Sequence, residues 1–286
     1  MRSALRSCFA LLIVSLPSFG QSKVPEGLAV AEKNLTYGEH ERQKLDLFVP
    51  KGDGPFPLVL WVHGGGWTGG SKEGNPLMPM LAKGYAVAST NYRFSQHAPF
   101  PAQIHDCKAA VRYLRANAVK YKLAPDRFGV AGASAGGHLV ALLGTTGNVK
   151  ELEGKVGSHP DVSSKVQCVV DVFGPTDLIK LAGATDAESP ITKLMGGKMS
   201  EKKELATQAN PITHITKDCP PFLILHGDMD KLVLPNQSEL LLEALQKAKI
   251  PAELVVVKGA GHDGKVMGGE NAAKVAAFFD SHLKKK

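Results

Sequence analysis

The chain has 286 residues, 43% hydrophobic, 21% charged and 6% aromatic. That apolar fraction excludes an intrinsically disordered chain, and the absence of a G-X-Y or heptad period excludes collagen and coiled coil. Lys and Arg outnumber Asp and Glu by 34 to 27, a formal charge of +7. The excess is spread along the chain except at Lys284, Lys285 and Lys286, with no basic run interleaved with aromatics, so nucleic acid is not an expected partner.

At the start, Arg2 and Arg6 precede the apolar run 8–16, and small residues follow at Ser18 and Gly20. This is the pattern of a secretory signal peptide over 1–20, cut after Gly20, and the expected destination is secreted or periplasmic. The run falls short of the ~20 residues needed to cross a bilayer, and no later stretch is a membrane-span candidate. Beyond it remain Cys107, Cys168 and Cys219, an odd number that permits one internal disulfide at most. No CxxC or Cys/His spacing suggests a metal, and no cofactor motif is present.

Residues 34–37 and 43–49 read as a leading hairpin. The continuous apolar run 57–62 (PLVLWV) predicts a strand buried on both faces, as does 85–90 (YAVAST). Ile104, Ala109, Val111 and Leu114 recur at helical spacing and predict a helix over 102–120. A strand at 127–131, a small-residue helix at 135–144 and a buried strand at 166–173 follow. After them come a strand at 221–225, a helix at 237–247, a strand at 253–257 and an amphipathic helix at 271–283. Eight strands alternating with helices imply an α/β fold, with a mostly parallel sheet covered on both faces. The polar, turn-rich stretch 174–220 is too long for a structureless loop, so a single domain over 21–286 with an inserted lid is expected.

The chemistry gathers at strand ends. Gly132-Ala133-Ser134-Ala135-Gly136 lies between a predicted strand and a predicted helix, the setting of a nucleophile elbow. His63-Gly64-Gly65-Gly66-Trp67 follows an earlier buried strand, and its glycines let backbone N–H groups approach a developing oxyanion. The lysine of a phosphate-binding loop is missing there, and His63 itself reads as a loop-steadying residue. A serine hydroxyl needs a base to take its proton, and the base needs an orienting carboxylate. The strand at 221–225 runs into His226-Gly227-Asp228-Met229-Asp230, and the strand at 253–257 into Gly259-Ala260-Gly261-His262. Both groups fall on the edge of the sheet where ligands bind. Asp228 and Asp230 compete for the orienting role. Asp228, next to the glycine, is better placed to tie its own turn, which favours Asp230. The remaining histidines, His226 included, read as surface or packing.

HGGGW, GASAGG, HGDMD and GAGH, in this order, resemble the α/β-hydrolase carboxylesterases. The likeness is greatest to the secreted BD-FAE-like subgroup, related to feruloyl and acetyl-carbohydrate esterases and to the hormone-sensitive-lipase type, and it extends over 34–282. The resemblance implies Ser134 as nucleophile, His262 as general base and then acid, and Asp230 as its orienter. Amides of Gly65, Gly66 and Ala135 would form the oxyanion hole, with neither metal nor organic cofactor. The implied substrate is a small-molecule or polysaccharide-linked ester of an acyl or hydroxycinnamoyl acid. Trp67 and Tyr92, with Phe94 and Phe173, are candidate pocket walls or core packing. A prolyl-oligopeptidase-like peptidase or amidase shares the motif order but has a propeller-sized N-terminal region that this chain lacks. A non-catalytic binding protein on the same fold would be expected to lack a triad member. Oligomeric state is not legible.

Overall fold

The continuous apolar runs become the inner strands of one eight-stranded sheet. A computed structural model describes residues 29–181, 186 and 188–285; the expected signal peptide lies outside them. The strands are β1 (Ala29–Thr36), β2 (Lys44–Pro50), β3 (Phe56–Val62), β4 (Ala86–Thr90), β5 (Leu123–Ala133), β6 (Cys168–Val172), β7 (Phe222–Gly227) and β8 (Ala252–Val257). Their spatial order is β1-β2-β4-β3-β5-β6-β7-β8. β1 pairs antiparallel with β2 and β2 with β4, and every other pairing is parallel.

The helices are α1 (Ala102–Ala116), α2 (Ala135–Thr145), α3 (Pro190–Met195), α4 (Lys203–Ala209), α5 (Asn236–Lys247) and α6 (Glu270–Leu283). Alternate residues of each inner strand enter opposite cores, as the two-residue period requires. Leu58, Leu60 and Val62 pack in the core that holds Ile104 of α1, Leu139 of α2 and Leu241 of α5. Val59 and Trp61 enter the core that holds Phe279 of α6 and Leu81 of a 3-10 turn, Met78–Lys83. A strand wet on neither face has no polar positions to spare, which is why these segments read as unbroken apolar runs.

Three expectations need correction. The helix expected to 120 ends at Ala116, where the Asn117 side chain donates to Tyr113 O (2.9 Å) and the chain turns so that Leu123 N donates to Ala118 O (2.8 Å). The strand expected at 127–131 runs from Leu123 to Ala133, because Leu123 pairs with Phe56 before a register break and Phe128 with Leu58 after it. The edge strand expected at 34–37 begins at Ala29, its outer half mostly exposed and so without a buried pattern. Among the described residues the three cysteines, Cys107, Cys168 and Cys219, are free thiols, and Cys107 and Cys168 lie in the cores on opposite faces of the sheet.

The segment 174–220 carries α3, α4 and the 3-10 turn Pro211–His214. It reaches back over the sheet edge: Phe100 N donates to Leu194 O (2.8 Å), and a Cβ on Gly66 would stand 3.3 Å from Pro190. Val62 pairs with both Thr90 and Gly132, and Gly227 with Val257, so the parallel strands end together. The loops leaving β3, β5, β7 and β8 therefore share one rim. Among the described residues no helix is long and apolar enough to cross a membrane.

Candidate active site

Ser134 stands between β5 and α2 with φ 56° and ψ −122°, a strained setting for a residue with a Cβ. Its amide donates to Val172 O (2.9 Å), tying the turn to the end of β6, and its carbonyl accepts from His138 N (3.0 Å). The turn closes only because Gly132 and Gly136 flank it. A Cβ on Gly132 would strike Gly136 O, and one on Gly136 would strike Val62 O. The serine side chain is thus pushed out at the mouth of α2, whose first amide, that of Ala135, has no helical partner. Among the described residues the Ser134 hydroxyl makes no hydrogen bond.

The glycine loop lies directly against this elbow. A Cβ on Gly64 would come 3.2 Å from the Ser134 Cβ. Gly65 has φ 109°, and Thr68 N and Gly69 N turn back onto its carbonyl (3.1 and 3.0 Å). No hydrogen bond among the described residues engages the amides of Gly65 or Gly66, which leaves them as donors beside Ser134. His63 is buried beneath. Its Nδ1–H donates to Gly64 O (2.7 Å), its ring stacks on Tyr92 (4.5 Å), and burial drives its pKa down to about 4. It is therefore a neutral brace.

Trp67 and Tyr92, candidate pocket walls on the sequence, are corrected to braces by their burial. Trp67 is 3% exposed and Tyr92 0%. The Trp67 indole donates to His138 Nδ1 (3.2 Å), and His138 Nε2–H donates in turn to Ala209 O (2.7 Å). The loop, α2 and the end of α4 are thereby locked into one unit, and burial lowers the His138 pKa to about 4, which keeps the ring neutral. The Tyr92 hydroxyl donates to His63 O (3.0 Å). With both polar tips satisfied inside the protein, neither ring is presented to a ligand. Phe94 is buried as well, under the Arg42 guanidinium at 3.6 Å.

At the rim beyond β7 and β8, the structure brings Asp230 and His262 together. His262 Nδ1–H donates to Asp230 Oδ2 (2.7 Å), which leaves Nε2 with a free lone pair. Asp230 Oδ1 accepts from the amides of Leu232 (2.9 Å) and Val233 (3.0 Å). Burial opposes the Asp230 charge, but the donors from His226 and His262 and these amides outweigh it, holding the carboxyl far below the usual range. Asp228 turns elsewhere: its Oδ1 accepts from Gly259 N (2.7 Å), pinning the turn before His262. Phe173, next after β6, lays its ring 4.3 Å from the His262 ring. Phe173 directly follows Val172, whose carbonyl accepts from Ser134 N. Asp263 caps the next turn by accepting from Lys265 N (2.8 Å).

Two residues of the site escaped the sequence reading in their roles: His226 and His138. His226 lies 3.3 Å from Asp230 Oδ2 through Nε2. A signal for it existed. Phe222, Ile224 and His226 alternate onto one buried face of β7, and a polar group there must find partners. His138 carries no comparable signal, because its partners Trp67 and Ala209 sit on distant segments.

The residues 45–245 match the family model described as BD-FAE. Among curated proteins, the probable carboxylic ester hydrolase LipM of Mycobacterium tuberculosis is 31% identical over 261 residues, 87% of this chain and 60% of that protein. Esterase LipC of the same organism is 29% identical over 86% of this chain and 63% of its own length. The chain thus spans about three fifths of the length of these relatives. Among solved structures, a truncated carbohydrate esterase from gut microbiota superposes with TM-score 0.86 and 32% identity, covering 92% of this chain and 100% of that one. A bifunctional GH43-CE protein of Bacteroides eggerthii gives 0.81 and 35%, over 88% of this chain and 38% of its own.

Proposed function

This chain belongs to the BD-FAE family of α/β-hydrolases, and from that premise we propose that it is a serine carboxylesterase acting on small acyl or hydroxycinnamoyl esters carried by carbohydrate. The observation that carries the reading is the Asp230–His262 pair, its Nε2 lone pair free, on the same rim as the strained Ser134. In the proposed reaction Ser134 Oγ attacks the ester carbonyl carbon while His262 Nε2 takes its proton. The carbonyl oxygen becomes an oxyanion held by the amides of Gly65, Gly66 and Ala135, each donor worth roughly 2.7–4 kcal/mol in the transition state. The C–O bond then breaks, the alcohol leaves with the proton from His262, and water, deprotonated by His262, releases the acid. Closure of the Ser134–His262 hydrogen bond on substrate binding is part of this reading, since such bonds are often open in the free enzyme.

Carbohydrate as the carrier rests on the carbohydrate esterase among the structural relatives, at 32% identity and TM-score 0.86. The segment 174–220, seated on the glycine loop through Pro190, is proposed as the lid. The pattern of residues 1–20 supports export. The test is hydrolysis of p-nitrophenyl acetate, methyl ferulate and an acetylated xylo-oligosaccharide by wild type and Ser134→Ala. Wild type is expected to turn over at least one, and the variant to lose about 10³-fold or more in kcat. A folded wild type inert towards all three, or a variant as fast as wild type, overturns the reading.

A further inference from the structure

We propose that His226 is a positioning residue of this site, a second imidazole that holds the Asp230 carboxylate in the plane and charge state that His262 requires. The proposal rests on the esterase reading for what it does to turnover, but its geometry stands apart from that reading. His226 is 1% exposed, out of reach of any substrate. Both of its nitrogens are engaged: Nδ1 lies 2.6 Å from Ser238 Oγ on α5, and Nε2 lies 2.8 Å from Val233 O and 3.3 Å from Asp230 Oδ2. A carbonyl oxygen can only accept, so Nε2 carries the proton and Nδ1 accepts from the Ser238 hydroxyl. The ring is thereby fixed in one tautomer, with its N–H donated to Val233 O and 3.3 Å from the carboxylate.

Asp230 then has four N–H groups around it. The Leu232 and Val233 amides donate to Oδ1 and His262 to Oδ2, with His226 Nε2 3.3 Å from the same Oδ2. A carboxylate so engaged cannot rotate freely, and its charge is spread over three hydrogen bonds and this fourth polar contact. Removing His226 leaves Oδ2 to His262 alone. The pull on the His262 Nδ1–H strengthens, the imidazolium is better stabilised, and His262 keeps its proton to higher pH. The carboxylate also gains freedom to turn away. The titratable groups facing His226 are Asp230 on its own loop, Asp171 from β6 and, through Asp230, His262. Phe173 packs on both imidazoles, at 6.3 Å from His226 and 4.3 Å from His262.

Two measurements test this. In the first, kcat and KM for p-nitrophenyl acetate are followed against pH in His226→Phe, His226→Gln and Ser238→Ala. His226→Phe is expected to lose about 10–100-fold in kcat with KM within about threefold. Its acid limb should move up by about half a pH unit or more. His226→Gln, which keeps an N–H donor, should recover most of the loss, and Ser238→Ala should shift in the same direction by less. A His226→Phe protein with unchanged kcat and acid limb, and only a lowered Tm, makes His226 mere packing and overturns the proposal. The second measurement is an NMR titration of His262 in Ser134→Ala with and without His226→Gln or Ser238→Ala, which needs no turnover. A His262 titration indifferent to both changes overturns the proposal as well. A wild type inert towards esters would sink the esterase reading and still leave this titration decisive for His226.

Discussion

Two acids two positions apart in the turn after β7 divide the work by what the backbone around them leaves open. Asp228 meets the amide of Gly259 and holds the β8 turn in place, whereas Asp230 meets two amides of its own loop and then His262. Asp230→Asn is therefore expected to cut kcat by about 10³–10⁴-fold by upsetting the His262 tautomer. Asp228→Asn should stay within about tenfold, since it weakens only a turn. Kinetics on p-nitrophenyl acetate with both variants check this, and the reverse ranking would reassign the orienter. At the same scale, Trp67→Phe keeps an aromatic ring, though a smaller one, and removes the donor to His138. Its expected outcome is a drop of about three- to tenfold in kcat, as the Gly65 and Gly66 amides lose their aim, with a lowered Tm from the space the indole leaves. That Asp230, not Asp228, stands next to His262 goes with its place further out in the loop, which the sequence shows. The role of Trp67 was not legible there, because its partner lies 71 residues away.

α1 shows how an element can hide a polar clasp in an apolar face. Lys108 and Arg112, one helical turn apart, are both buried. Lys108 Nζ donates to Thr146 O (2.7 Å) and Glu153 Oε2 (2.9 Å), and Arg112 Nη1 to Glu153 Oε1 (2.7 Å) and Glu153 O (2.8 Å). Burial raises the cost of the Glu153 charge, but the two cations and the Ser164 hydroxyl more than offset it and lower its pKa. The clasp fixes α1 to the chain after α2. Glu153→Gln leaves two buried cations short of a counter-charge and should cost about 2–3 kcal/mol, read from the urea midpoint. A variant as stable as wild type would show the clasp to be energetically idle. Helical spacing revealed α1, but a Lys and an Arg at that spacing look like a solvated stripe until Glu153 is brought beneath them.

For the whole molecule, two buried acids set opposite pH dependences. Asp230 is held far below the usual carboxylate range, so its stabilisation is complete above the unfolded value and is lost as pH falls through the folded one. Asp171, fully buried in β6, is pushed up to about 7 by burial, against the Gly174 amide that donates to Oδ1. Its raised value means the protonated form is favoured in the fold. That contribution is present below the unfolded carboxylate value and is lost as pH rises through about 7. Asp171→Asn is expected to gain in Tm relative to wild type between about pH 5 and about pH 8, measured by thermal unfolding across that range. A Tm difference independent of pH would mean that Asp171 titrates alike in the folded and unfolded chain.

The sequence by itself determined the alternation of strands and helices, the doubly covered sheet, and the placing of Ser134, Asp230 and His262 at strand ends. Those features are local. Burial on both faces writes a continuous apolar run, and a turn too tight for Cβ atoms writes glycines around a serine. Only the tertiary structure decided that β2 lies between β1 and β4, that Trp67 and Tyr92 brace rather than line, and that His226 reaches Asp230. Each of these depends on which distant segment supplies the partner, and a side chain's own position records that it is buried without recording against what.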